Sequence, residues 1–147
     1  MKIVIGCDHG GLEHKNAIGE FLKEQGFEVV DFGIYEQVSV DYPDIAAPLC
    51  ESILKGETER GILVCGTGIG MSIAANKYKG IRAAACSEHF SAKYTRLHNN
   101  SNVLCLGGRV IGVGTAVELA DIFVNTEFEG GRHQKRVDKI TAIEEKQ

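Results

Sequence analysis

The residue types that can do chemistry in this chain gather in a few short, glycine-rich segments. The strongest is Cys65-Gly66-Thr67-Gly68-Ile69-Gly70. Its alternating glycines let several backbone N–H groups converge on one small concavity, a nest suited to an oxyanion or a phosphate. The third glycine falls one position early for the dinucleotide fingerprint, and no Gly-Lys-Ser/Thr follows as in a P-loop. Cys65 precedes a helix start, where a thiolate is stabilised, so it is a candidate base or nucleophile. The competing reading is a packed strand-end cysteine. In Cys7-Asp8-His9-Gly10-Gly11, Asp8 and His9 could move protons or bind hydroxyls and phosphate; a plain capped turn with His9 exposed is equally consistent. His98 and Asn99 could shuttle a proton and hold an oxyanion, or could simply end a helix. Arg109 follows paired glycines and could contact an anion or form a surface ion pair. Arg132 and Arg136 are four apart, so they share a helix face and could grip a phosphate, or form a solvated basic face.

One chemistry uses all of these parts: transfer of a proton between adjacent carbons of a phosphorylated sugar, through an enediolate. A base takes the proton beside the carbonyl, N–H donors stabilise the oxyanion, and the phosphate grip lends binding energy to the reacting end. The five histidines (His9, His14, His89, His98 and His133) form no H-x-x-x-H pair and no close Cys/His cluster, so no metal site is expected. No cofactor signature is present.

These residues need elements to hold them. Five apolar runs, Lys2–Gly6, Phe27–Phe32, Gly61–Cys65, Ile81–Cys86 and Asn102–Leu106, are nearly continuous, as strands buried on both faces are. Helical periodicity fills the gaps. Leu12, Ile18, Phe21 and Leu22 form one stripe stopped by Gly26, and Ile45, Leu49 and Ile53 form another between Pro43 and Gly56. Strand–helix alternation implies an α/β fold with a parallel sheet. Ligands in such folds bind at the carboxyl ends of strands. The longest loop spans Gly33–Tyr42. A last helix from about Arg132, with a narrow Val137, Ile140 and Ile143 stripe, has no strand after it and needs another surface to pack on.

With 147 residues, 44% of them hydrophobic, the chain is expected to form one domain, 1–147, with a core that needs no staples. A net charge of −4 argues against nucleic acid. No apolar run is long enough for a membrane span, and no signal-like segment opens the chain. The five cysteines are odd in number and lack a C-x-x-C pair. A reducing cytoplasm is therefore the expected compartment.

In combination and in order, several motifs resemble ribose-5-phosphate isomerase B. They are Cys7-Asp8-His9-Gly10-Gly11, Asp41-Tyr42-Pro43, Cys65 to Gly70, Ser72-Ile73-Ala74-Ala75-Asn76-Lys77, Gly80-Ile81-Arg82-Ala83, His98-Asn99-Asn100 and Gly130-Gly131-Arg132-His133-x-x-Arg136-Val137. The resemblance covers Lys2 to about Glu145. It implies a Rossmann-like three-layer fold with a five-stranded parallel sheet and an extra C-terminal helix. It also implies a cofactor-free, metal-independent enzyme working as a homodimer or tetramer, with sites shared between subunits and the last helix at the interface. Cys65 becomes the base that carries a proton between C1 and C2, with Thr67 and His98 assisting ring opening. Asp8 and Tyr42 contact sugar hydroxyls or the ring oxygen. Gly66, Gly68, Ile69 and Gly70 form the enediolate hole with Asn99 of a neighbouring chain, and His9, Arg109, Arg132 and Arg136 hold the phosphate. Relatives of this kind use either glutamate or cysteine as base, and Cys65 places this chain with the cysteine type. Galactose-6-phosphate isomerase subunits share the fold, but the His-Asn-Asn and Gly-Gly-Arg-His segments favour the pentose enzyme. The alternatives are a six-carbon substrate such as allose 6-phosphate, a non-catalytic sugar-phosphate-binding module, or a thiol redox protein. The last lacks a nearby resolving cysteine.

Overall fold

The five apolar runs become strands of one all-parallel sheet in the order β2-β1-β3-β5-β4. The structure is a computed structural model describing all 147 residues. The strands are β1 (Lys2–Cys7), β2 (Glu28–Asp31), β3 (Arg60–Cys65), β4 (Ala83–Ala85) and β5 (Val103–Gly107). The helices are α1 (Leu12–Glu24), α2 (Tyr42–Leu54), α3 (Ile69–Ala75), α4 (His89–Asn99), α5 (Val113–Asn125) and α6 (Arg132–Glu145).

Two strands differ from expectation. β2 and β4 are shorter than their apolar runs and only half-buried. They lie at the two edges of the sheet, where pairing exists on one side only, so the double burial expected of all five holds for β1, β3 and β5. Alternate residues of these central strands face opposite ways. Ile3, Ile5, Cys7, Ile62, Val64, Leu104 and Leu106 pack under α1, α4 and α5. Val4, Leu63, Cys65, Val103 and Cys105 pack under α2 and α3. This alternation sends the strand-end cysteines of β1 and β3, Cys7 and Cys65, to opposite faces.

A buried cation fixes the longest loop. Lys15 of α1 is 1% exposed, and its Nζ donates to Asp31 Oδ2 at 2.6 Å and to the Ile34 carbonyl at 2.8 Å. The other oxygen of Asp31 accepts from the Gly33 amide at 2.7 Å. Removing one member of a buried pair leaves the partner uncompensated. Asp31 keeps some solvent contact, which moderates the cost. Lys15→Met is expected to lose about 2–3 kcal/mol in urea unfolding, and an unchanged midpoint would contradict the arrangement.

α6 packs its N-terminal half on α4. Of its expected stripe only Val137 is buried, while Ile140 and Ile143 are exposed. No helix is long and apolar enough to cross a membrane.

Candidate active site

β1 and β3 are adjacent, but the chain leaves β1 toward β2 and leaves β3 toward the other side of the sheet. This reversal opens a crevice at the strands' carboxyl ends. The loops after β1, β3 and β5 meet there, backbone against backbone. A Cβ on Gly10 would sit 2.8 Å from the Gly66 nitrogen, and one on Gly108 would sit 2.0 Å from the Gly10 carbonyl oxygen. Hydrogen bonds lock the same junction: the Gly108 amide donates to the Cys65 carbonyl at 2.8 Å, and the Arg109 amide to the Gly66 carbonyl at 3.0 Å.

Cys65 is 4% exposed, and its Sγ accepts the Gly68 N–H at 3.1 Å. Gly68 has φ +80°, in the left-handed region, which turns its N–H back onto the sulfur. The other four cysteines are core residues. Burial pushes Cys7, Cys50 and Cys86 up to about 11, and Cys105 well above its ordinary value. All five are free thiols. α3 has only seven residues, so the anion-favouring groups come from the loop rather than from a long helix dipole. The Gly68 amide is committed to Cys65, and the Ile69 amide donates to Thr67 Oγ1 at 3.2 Å. The amides of Gly66 and Gly70 have no hydrogen-bond partner within the chain.

Around this nest stand the other predicted groups of the strand ends. Asp8 is buried, and its Oδ1 accepts the Gly10 amide at 2.8 Å. It shapes the turn and does not cap α1, whose N-cap is Gly11. The ring of Tyr42, first residue of α2, lies over Gly70, where a Cβ would come within 2.8 Å of it. The Arg109 guanidinium lies over Gly66, 3.5 Å from where a Cβ would be. His9 is held by the long loop. Its carbonyl accepts from Gln37 Nε2 at 2.7 Å, and its Nδ1 faces the Val40 amide at 3.4 Å. With Nδ1 accepting, the hydrogen of the neutral ring lies on Nε2.

His98, Asn99, Arg132 and Arg136 are not part of this group. α4 returns the chain from the carboxyl end of β4 to the start of β5, so its last residues lie at the amino edge of the sheet. β5 has five residues, a span of about 16 Å. α6 begins against the end of α4, where the rings of His98 and His133 stack with centroids 4.0 Å apart. Arg132 and Arg136 project from the start of α6 and are exposed. A cavity of about 560 Å³ opens between α4, α6 and β4, with Asn99 on its wall and no residue of the strand-end loops. One chain thus carries its predicted site residues in two groups, at opposite ends of its sheet.

Two residues that the sequence analysis gave no role stand in the second group. Glu129 faces both imidazoles, and His133 is buried. His133 sits below the ordinary histidine value because burial and the neighbouring His98 disfavour its charge, with Glu129 opposing them. Ligand atoms of His98, Glu129 and His133 lie within 4.8 Å of one another. The two rings are only 12° from parallel, so their in-plane lone pairs do not converge on one ion. Other motif residues serve the fold. The Asn76 side-chain amide donates to the Ala83 carbonyl at 2.9 Å and accepts its N–H at 2.8 Å, which pins β4.

Known proteins share this fold. Residues 3–140 match the family model described as Ribose/Galactose Isomerase. Ribose-5-phosphate isomerase B of Escherichia coli is 48% identical over 145 residues, covering 99% of this chain and 97% of that protein. Ribose-5-phosphate isomerase B of Clostridium thermocellum superposes with a TM-score of 0.97 at 51% identity, covering 99% of each chain. The enzyme of that name from Mycoplasma genitalium, solved with bound ribulose-5-phosphate, superposes with a TM-score of 0.95 at 42% identity, covering 99% of this chain and 97% of that one. Matched by this model from residue 3 to residue 140 and by these isomerases over 99% of its length, the chain belongs to the ribose/galactose isomerase family.

Proposed function

We propose that the protein interconverts ribose 5-phosphate and ribulose 5-phosphate through an enediolate, with Cys65 as the base. The observation that carries this reading is the Cys65 sulfur held by the Gly68 amide inside the backbone nest. The E. coli and M. genitalium relatives support the choice of substrate.

On the open-chain aldose, the Cys65 thiolate removes the proton from C2. Negative charge develops on O1, beside the remaining donors of the nest. The thiol returns the proton to C1, and the O2 proton passes to O1, giving the ketose. Asp8 and Tyr42 orient the sugar hydroxyls. The furanose must open first, and this step uses Thr67 from the nest and His98 from the second group. His9, Arg109, Arg132 and Arg136 hold the phosphate, with guanidinium forks suited to its oxygens. Asn99 adds an amide donor for the enediolate.

The half-sites lie at opposite ends of one chain, so a complete site forms where the nest of one copy meets the α4–α6 end of another. A two-fold homodimer makes two such sites. It also gives the exposed Ile140 and Ile143 a surface to cover them. Cys65→Ala and Arg132→Ala/Arg136→Ala proteins are each expected to be inactive. Unfolded together and refolded as a mixture, they should regain about a quarter of wild-type turnover, because half the dimers are mixed and each has one intact site. No recovery would place both half-sites in one chain's own reaction and sink the shared site. Turnover of ribose 5-phosphate against allose 6-phosphate tests the pentose reading, and faster conversion of the hexose would overturn it.

A further inference from the structure

His133 presents a buried polar atom with no satisfied role. The residue is 4% exposed, yet its Nε2 has no hydrogen-bond partner. Buried polar atoms are nearly always paired, so the exception needs a reason. The ring lies face to face with His98, and Tyr94, one turn earlier on α4, meets His98 edge-on at 4.8 Å and 76°. Phe90 stacks on Tyr94 in turn, at 4.2 Å. Glu129 Oε1 lies 3.7 Å from His133 Nε2, and Glu129 Oε2 lies 4.0 Å from His98 Nε2. One carboxylate therefore faces both imidazoles through different oxygens. These distances are too long for direct hydrogen bonds, so the carboxylate acts through its charge. The other charged groups bearing on this cluster are Arg132 and Arg136 of α6, and both oppose a proton there.

We infer that His133 and Glu129 are positioning residues for ring opening: His133 and Tyr94 fix the orientation of the His98 imidazole, and the Glu129 carboxylate, facing both rings, keeps the pair in place. The inference rests on the isomerase reading above. Opening ribofuranose 5-phosphate breaks the C1–O4 bond. O4 gains a proton, O1 loses one, and the imidazole that relays a proton between them ends as it began. Proton transfer between C1 and C2 needs none of this. Ribulose 5-phosphate has no furanose form, because its O5 carries the phosphate.

The test compares wild type, His133→Ala, His133→Phe and Glu129→Gln in two reactions. One is turnover of ribose 5-phosphate. The other is entry of solvent deuterium at C1 of ribulose 5-phosphate, which reports the carbon chemistry alone. His133→Ala should lower kcat for ribose 5-phosphate roughly tenfold or more, with KM and deuterium entry within about twofold of wild type. His133→Phe keeps the stack and should recover most of the loss. Glu129→Gln should lower kcat for ribose 5-phosphate severalfold while deuterium entry stays within about twofold of wild type. Equal losses in both reactions would mean damage to the fold or to the phosphate grip and would overturn the inference, as would unchanged ribose 5-phosphate turnover in His133→Ala. Wild type that performs neither reaction would bring down the isomerase reading itself.

Discussion

Replacing Cys65 by alanine will lower ribose 5-phosphate turnover by about three orders of magnitude or more, at nearly unchanged stability. A positioned base contributes 10²–10⁴-fold in typical cases, and this one has no substitute among its neighbours. Asp8 already accepts the Gly10 amide, and Cys7 projects to the other face of the sheet. The structural cost is small, because Sγ makes one hydrogen bond and the alanine keeps the Cβ packing. KM should hold, since the phosphate contacts are untouched. Such a pattern identifies a group that acts in the transition state rather than in binding. Steady-state kinetics with a thermal melt on the same preparation checks it. A folded variant that retains more than about a tenth of wild-type kcat would move the base elsewhere.

Gly108→Ala is the second large effect, and its cause is different. The added methyl would sit 2.0 Å from the Gly10 carbonyl oxygen and 3.3 Å from Gly11 Cα. Both are main-chain atoms, so no side chain can swing aside. The loops after β1 and β5 must separate, at a cost of about 3 kcal/mol. The Gly10 loop also touches Gly66, so the displacement reaches the thiol's surroundings directly. A shift near 1 Å costs about 10²-fold in rate. Activity should therefore fall in protein that remains folded at 25 °C, and Tm should fall with it. Gly112→Ala is the control, because a Cβ there meets nothing within 4 Å. If both variants behaved alike, close packing would not be what holds the three loops together.

The chemistry-bearing segments were legible because glycine clusters and strand ends are local signals. The nest, the Asp8–His9 turn and Arg109 all lie where the strand pattern puts them. The edge positions of β2 and β4 were not legible, since strand order is a property of the whole sheet and an apolar run looks the same at its edge. The contacts of His9 with Gln37 and Val40 escaped for a related reason. They depend on the course of a loop that carries no periodicity and is anchored by Lys15 and Asp31, sixteen residues apart. Glu129 escaped because a lone carboxylate before Gly130-Gly131 resembles any surface acid. Only the packing of α6 on α4 brings it to two histidines.

Where three loops touch through glycine backbone, the reactive centre is made largely of atoms that every amino acid shares. A substitution can destroy that junction but cannot retune it. The groups that reach in from outside it are ordinary side chains: Tyr42, Gln37 and Arg109. Heritable variation can therefore reshape which sugar phosphate is welcomed while leaving the proton transfer intact. On such a scaffold the reaction is fixed by backbone, and the choice of sugar phosphate by side chains.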